Sequence, residues 1–454
     1  MRIIIVGGGK VGHTLAEHLI EEGHEITIID RSEVVIQRSM DELDALTIQG
    51  SGVSAGTLTE AGVQQADIVI AVTISDEINM LCSLLAKRLG AQFTISRIRD
   101  PEYMKSLSFL KKELWIDYAI NPERNTALEI SRILRYPFSG GVETFARGQV
   151  EMMDFRLGPE DGLIGIRLQD MEKRRPDLPR VLYCLVERNH EALIPKGDFV
   201  FEEHDRVFVA SDIKTITGYF RALGKNTERV HKVMIMGGGR IAYYLTQMLL
   251  EMKVQVSIIE IDPERARTLS EAFPSANVIL GDGTDKELLL SEDIGTYDAF
   301  ITLTGRDEEN IMAGLCARQN NVRKAIVKSN RDHYTDMLTA LGIDSILSPR
   351  LVTANTILRA VRTRMNAEAA QAVQRMYRLM DGDAEALEFI VHKDDPFIHK
   401  PLKDLRFRPN ALLAVIVRGS QVQVPGGNST LEPEDRVIVI TLNSGVTALD
   451  EVIL

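Results

Sequence analysis

Two glycine-rich turns are the parts of this sequence best suited to chemistry. Gly7-Gly8-Gly9-Lys10-Val11-Gly12 follows the apolar run Ile3–Val6, and Gly237-Gly238-Gly239-Arg240-Ile241-Ala242 follows Val233–Met236. In a G-x-G-x-x-G/A turn the first glycine permits a tight bend and the second lets backbone approach a pyrophosphate. The third position allows close helix–strand packing. A helix opening at such a turn offers unpaired N–H groups and its positive dipole end to phosphate. An acid follows each turn at the spacing expected for a ribose partner, Asp30 in the first case and Glu260 in the second. Such a carboxylate repels a 2′-phosphate, which favours NAD(H), ATP or ADP over NADP.

Other residues recur at matching positions. Lys10 and Arg240 lie inside the turns, where a cation can reach a terminal phosphate or simply sit exposed at a helix start. Arg97 and Lys328 end corresponding strands, at the carboxyl edge where α/β sheets bind ligands. Asp76, Asn79, Asp307 and Asn310 begin helices, where acids also serve as caps and dipole partners. A dehydrogenase would further need a general acid or base facing its nicotinamide. His13, His18, His24, His190, His204, His392 and His399 have no counterparts in the other half, so they read as surface or core residues. No Walker lysine, Ser/His/Asp grouping or metal-ligand cluster appears. The residues point to a protein that binds nucleotide and is not an enzyme; the alternative is an NAD-dependent oxidoreductase with a duplicated fold.

The positioning elements are themselves repeated. Beyond the turns, Ile26–Asp30 matches Val256–Glu260, and Gly50-Ser51-Gly52 matches Gly281-Asp282-Gly283. The run from Asp67 to Thr73 matches that from Asp298 to Thr304. Asp76–Asn79 matches Asp307–Asn310, and Asn121-Pro122 matches Ser348-Pro349. So many matches in one order mean a duplication. Within each half, short β-branched runs alternate with amphipathic stretches: strands are expected at Ile3–Val6, Glu25–Asp30, Leu46–Gln49, Asp67–Thr73 and Phe93–Ile98, with helices from Val11, Ser32 and Asp76. That alternation implies βαβ units around a parallel sheet. Asn-Pro and Ser-Pro place a cap before a proline at the first helical position, so Glu123–Leu134 and Arg350–Met365 read as long helices. Strand-like runs follow at Val181–Glu187, Phe199–Phe201, Val207–Ala210, Leu412–Val417 and Val437–Thr441, with a recurring acid at Asp205 and Asp435. The fold class expected is α/β: two Rossmann-like doubly wound parallel sheets, each followed by a small α+β lobe. The expected bounds are 1–135, 136–228, 229–367 and 368–454.

Composition agrees. A chain of 454 residues, 44% hydrophobic and 26% charged, can fill several cores. A net charge of −12 argues against sequence-independent binding to nucleic acid or anionic lipid. Cys82, Cys184 and Cys316 are scattered, which suits a reducing cytosol. The longest apolar runs are strand-sized, whereas spanning a bilayer takes about 20 residues.

The ordered motif set resembles the RCK (also called KTN) domains that regulate potassium transporters and channels. Its specific parts are the glycine turns, the acids Asp30 and Glu260, Gly281-Asp282-Gly283-Thr284-Asp285, the Thr-x-x-Asp-Glu-x-Asn runs and the paired helix starts at Pro122 and Pro349. Each half looks like a TrkA-N-like Rossmann domain followed by a TrkA-C-like lobe. The resemblance implies a cytosolic gating-ring subunit, dimeric or tetrameric, seated on a TrkH-type potassium channel subunit at the inner face of the cell membrane. It also implies that NAD(H), ATP or ADP binds at each sheet. Carried over by position, the first turn with Asp30, Ser51, Gly52, Thr73, Ile74 and Arg97 would line one site. The second turn with Glu260, Asp282, Gly283, Thr304, Gly305 and Lys328 would line the other. Ser51 departs from the pattern, since such domains often carry an acid there, as at Asp282. A regulator of another potassium transporter or an efflux channel fits the same motifs.

Overall fold

Ile3-Ile4-Ile5-Val6 is apolar on both faces of an extended chain, the pattern of a parallel strand covered on each side. In the computed structural model all four are buried, at the centre of a six-stranded sheet. The structure describes residues 1–135, 142–225, 229–330, 338, 341, 343, 345–366, 373–380, 383–442 and 445–453. The boundaries expected at 135/136, 228/229 and 367/368 touch residues outside that set.

The first sheet contains β1 (Arg2–Val6), β2 (Glu25–Asp30), β3 (Leu46–Gln49), β4 (Ile68–Ala71), β5 (Phe93–Arg97) and β6 (Tyr118–Ile120). Its order is β3-β2-β1-β4-β5-β6, and every pairing is parallel. Ile3 sits beside Ile26 on one side and Ile68 on the other. The order reverses at β1, so a crevice opens beyond its carboxyl end, the usual ligand position in such sheets. An antiparallel five-stranded sheet follows: β7 (Val142–Phe145), β8 (Val150–Arg156), β9 (Leu182–Arg188), β10 (Glu191–Leu193) and β11 (Arg206–Asp212), ordered β10-β9-β11-β8-β7. The second half repeats both. Strands β12 (Lys232–Met236), β13 (Gln255–Glu260), β14 (Asn277–Leu280), β15 (Ala299–Thr302), β16 (Lys324–Lys328) and β17 (Ser345–Leu347) pair in the order β14-β13-β12-β15-β16-β17. Strands β18 (Arg375–Leu379), β19 (Ala384–Ile390), β20 (Ala411–Arg418), β21 (Gln421–Gln423) and β22 (Arg436–Thr441) run β18-β19-β22-β20-β21, which is the first lobe's order read from the other edge.

Like modules associate with like. One compact unit joins Met1–Ser131 to His231–Val361, and the other joins Arg132–Val230 to Arg362–Leu454. In the first unit the two long helices expected from sequence run over Pro122–Arg135 and Pro349–Asn366. Asn121 Oδ1 caps one by accepting from Arg124 N at 2.8 Å. The two helices touch where Asn125 Nδ2 donates to Thr356 Oγ1 at 3.4 Å. In the second unit one apolar core draws on both lobes, from Phe145, Met152 and Leu185 to Tyr377, Ala386 and Ile440. The Phe145 and Tyr377 rings meet edge to face at 4.9 Å. Ala146 N donates to the buried Glu388 Oε2 at 2.9 Å.

Two strand expectations change. The run from Asp67 to Thr73 holds a strand only over Ile68–Ala71. Asp67 and Val72 still bond neighbouring strands through their backbones, whereas the Thr73 N–H leaves the ladder by donating to Asn79 Oδ1. Phe199–Phe201 is no strand beyond one bridge from Val200 to Arg167. Its two rings instead meet at 5.5 Å beside the lobe core. The recurring lobe acids are clamps. Arg188 reaches Asp205 through Nε at 2.8 Å and Nη2 at 2.7 Å, and Arg418 holds Asp435 at the same two distances. Each acid also accepts a turn N–H, from Glu202 or Glu432, at 2.9 Å. Asp435→Ala strands that N–H and the inner face of Arg418, and is expected to lower urea-unfolding stability by roughly 2 kcal/mol; an unchanged midpoint would contradict the clamp.

Candidate functional site: two glycine turns at the sheet edges

Gly7 follows β1 with φ +107°, and a Cβ there would stand 3.0 Å from Thr73 N. Gly237 repeats this with φ +96° and 3.1 Å to Thr304 N. Only glycine takes this conformation cheaply, so the turn can pass close under the neighbouring strand end. Gly9 and Gly239 differ: their φ values are −63° and −70°, and a Cβ at either meets nothing within 4 Å. The space over each second glycine is therefore open. At the third position a Cβ on Gly12 would lie 1.9 Å from Gly7 O, while the second copy buries Ala242 completely.

The helices that begin here, Lys10–Glu21 and Arg240–Glu251, have glycine N-caps, no side-chain cap and no acid in the first turn. Asp76–Leu89 and Pro263–Ala272 in the same unit are capped by Ser75 and Asp262 and carry first-turn acids. Uncapped N–H groups at a positive dipole end are what an anionic ligand needs. Lys10, Arg240 and Ile74 are exposed at these mouths, and Val11 and Ile241 pack beneath them. Gly8 N donates to Asp30 Oδ2 at 2.8 Å and Ser32 N to Oδ1 at 2.9 Å. Gly238 N and Asp262 N hold Glu260 in the same way at 2.7 and 2.8 Å. Asp30 is half-buried; Glu260 is buried, with Arg265 Nη1 at 3.6 Å. Each acid thus braces its turn and faces the position where a ribose would lie. The residues present fit an adenine nucleotide.

The structure sorts the remaining candidates. Gly52 and Gly283 serve packing, since a Cβ on them would meet Val6 Cγ1 at 2.2 Å and Met236 Cγ at 2.3 Å. Ser51 accepts from Arg31 Nη2 at 2.8 Å. Asp282 accepts from Thr284 N and Oγ1 at 2.9 and 2.7 Å, and these bonds hold its carboxyl below the usual range. Gly305 opens onto empty space. Thr73 donates to Asn79 Oδ1 through N at 2.8 Å and Oγ1 at 2.7 Å, while Asn79 Nδ2 donates to Arg97 O at 2.9 Å. Thr304, Asn310 and Lys328 O repeat this at 3.0, 2.8 and 3.0 Å. Asp76 accepts from Arg99 N and Asp100 N, and Asp307 from Asn330 N. The Thr-x-x-Asp-Glu-x-Asn runs therefore tie adjacent strand ends together. His13 pairs with Glu42 at 3.1 Å and His399 with Glu432 at 2.6 Å.

Two features had no sequence signal. Glu123, at the start of the first long helix, acts electrostatically on a cation of each sheet, Arg97 and Lys328. Burial lowers the pKa of both cations; Arg99 adds to this at Arg97, while Glu123 opposes it at both. Tyr244, on the helix of the second turn, donates to Arg99 O at 3.0 Å and accepts from Asn121 Nδ2 at 3.0 Å. The two mouths therefore share parts.

Two doubly wound sheets with glycine-turn mouths, each followed by an antiparallel lobe, define a duplicated Rossmann-type protein. The TrkA-N domain model matches residues 3–122 and 233–349, and the TrkA-C domain model matches residues 386–454. The Trk system potassium uptake protein TrkA homolog of Archaeoglobus fulgidus is 32% identical over 456 residues, covering 100% of both chains. The Haemophilus influenzae Trk system potassium uptake protein TrkA is 32% identical, covering 97% of this chain and 95% of that one. The GsuK RCK domain superposes with a TM-score of 0.62 at 18% identity, over 97% of this chain and 92% of that chain. The GsuK channel bound to NAD gives 0.61 at 18%, over 97% and 76%. The chain belongs to the TrkA family of Trk system potassium uptake proteins. It is a regulatory transport protein and not an enzyme.

The turn geometry makes a paired forecast. Gly7→Ala is expected to cost at least about 1 kcal/mol, because its φ is positive, whereas Gly9→Ala should stay within about 0.5 kcal/mol. Thermal unfolding of the two variants checks this, and equal shifts would contradict the assignment of roles.

Proposed function

We propose that this chain is a cytosolic gating-ring subunit that binds NAD(H), ADP or ATP at both glycine turns and so controls a TrkH-type potassium channel subunit from the inner face of the membrane. The observation that carries the reading is the duplicated, uncapped helix N-terminus with an acid braced beside it. Family membership supports the transport role, and the fold is shared with an RCK channel described as bound to NAD. Among the described residues no helix is long and apolar enough to cross a membrane, so control would pass to a separate membrane partner. Assembly into a dimeric or tetrameric ring belongs to the same proposal.

In this reading Gly8–Lys10 and Gly238–Arg240 hold phosphate through backbone N–H groups, and Asp30 and Glu260 orient ribose. Arg97 and Lys328 end strands of the two sheets, and the charge of Glu123 acts on both. When phosphate charge enters either mouth, these cations lean toward it and away from Glu123, which shifts the start of Pro122–Arg135. A ligand moves the equilibrium only by its differential affinity for the two arrangements. Oxidised and reduced dinucleotide, or ADP and ATP, would differ in that respect.

Thermal unfolding with NADH, ADP and ATP tests the binding. Each filled site should add roughly 2–3 kcal/mol at hundredfold excess over its Kd, and Asp30→Ala and Glu260→Ala should each remove one increment. No stabilisation by any of the three would overturn the reading. Small-angle scattering checks the gating: ADP, ATP and NADH should give distinguishable particle shapes, and identical curves with all three bound would refute control by shape.

A further inference from the structure

The two mouths share a backbone plan but carry different side chains at their ribose ends. Asp30 pairs in register with Gln49, and Glu260 with Leu280, so the residues just beyond these pairs form matching rims. At the first rim Arg31 follows the acid and donates through Nη2 to Ser51 Oγ at 2.8 Å. Arg38 donates through Nη2 to Gly8 O at 3.2 Å, and its Nε lies 3.8 Å from Glu42. At the second rim Ile261, 67% exposed, takes the place of Arg31, and Asp282 takes the place of Ser51. The cation there, Arg265, stands 3.6 Å from Glu260 and is matched by that acid.

The exchange is concerted. An acid at position 51 would neutralise Arg31, whereas a serine hydroxyl steers the guanidinium and leaves its charge and remaining donors available. Asp30 already accepts the Gly8 and Ser32 N–H groups, so its own charge is partly met from behind. An arginine beside the ribose acid is the feature that accommodates a 2′-phosphate in Rossmann sites, and guanidinium matches phosphate geometry well. At the second rim a 2′-phosphate would face Asp282, Glu260 and an aliphatic side chain, with no unmatched cation.

We infer that the two sites differ in specificity, the first admitting a nicotinamide dinucleotide with a 2′-phosphate through Arg31, the second accepting only the form with a plain ribose. This rests on the reading of both turns as nucleotide sites, and it relaxes at the first site the exclusion that Asp30 alone would impose.

The test is calorimetric titration of the full chain with NADH and NADPH. NADH should fill two sites per chain and NADPH one. Arg31→Ala should weaken NADPH by about tenfold or more while changing NADH far less. Ile261→Arg combined with Asp282→Ser should create a second NADPH equivalent. A chain with Gly239→Val, which fills the open space over the second turn, should keep its NADPH equivalent; if that variant does not fold, the stoichiometry of the unaltered chain decides. NADPH binding at both sites or at neither while NADH binds, or NADPH binding indifferent to Arg31→Ala, would overturn the inference and leave the nucleotide reading standing. Failure of NADH itself to bind would overturn the inference, and the nucleotide reading falls with it only if ADP and ATP fail as well.

Discussion

The constraint that organises this protein is the close approach of backbone to backbone at the end of the central strand. A Cβ on Gly7 would stand 3.0 Å from Thr73 N, and one on Gly237 would stand 3.1 Å from Thr304 N. With a side chain there, the first helix could not start directly beneath the crevice, and its N–H groups would not converge on it. The bond from the middle glycine to Asp30 or Glu260 then locks the bend to the adjacent strand. One local backbone demand thereby sets the direction of a helix dipole, the position of a ribose acid and the width of the mouth.

Duplication multiplies that plan and gives the copies surfaces on which to meet. The parallel-sheet modules associate through Tyr244, Asn121, Asn125 and Thr356, and the lobes through a common apolar core. Both associations bury polar groups that bond across the copies. Asn121 is nearly inaccessible yet serves Tyr244, Arg99 O and the helix start at Arg124. Glu388, fully buried, takes Ala146 N from the other lobe and Arg436 from its own. Leaving such groups unpaired would cost more than their bonds return, so these contacts select one arrangement of the copies.

The copies have nonetheless diverged where packing does not constrain them. Inside each mouth the glycines, the Thr–Asn clamp and the ribose acid are held by geometry and recur. On the rim, Arg31 and Ser51 face solvent opposite Ile261 and Asp282, and substitution there disturbs no core. A symmetric scaffold with unlike rims is a direct route from one ancestral site to two with different tastes.

Much was legible in the sequence because it depends on local chemistry. The βαβ alternation, the glycine turns, the acid spacing, the proline helix starts and the duplication follow from backbone rules that act over a few residues, and the parallel strands expected there followed within a residue or two, while the short edge strands β6 and β17 gave no signal. The strands β8 and β19 were not legible. They carry Glu151 and Asp154, or Glu385 and Glu388, inside otherwise apolar runs, and such acids read as surface until Arg206, Arg362 and Arg436 are seen to pair with them. The Thr-x-x-Asp-Glu-x-Asn runs read as ligand contacts or caps, and in the fold they also tie strand ends together. Sequence by itself determined which backbone could cradle a phosphate, twice. Tertiary structure alone decided that like modules share a unit, that Tyr244 of the second turn's helix meets Asn121, and that Arg31 meets Ser51, because those depend on distances between residues that the linear order does not bring together.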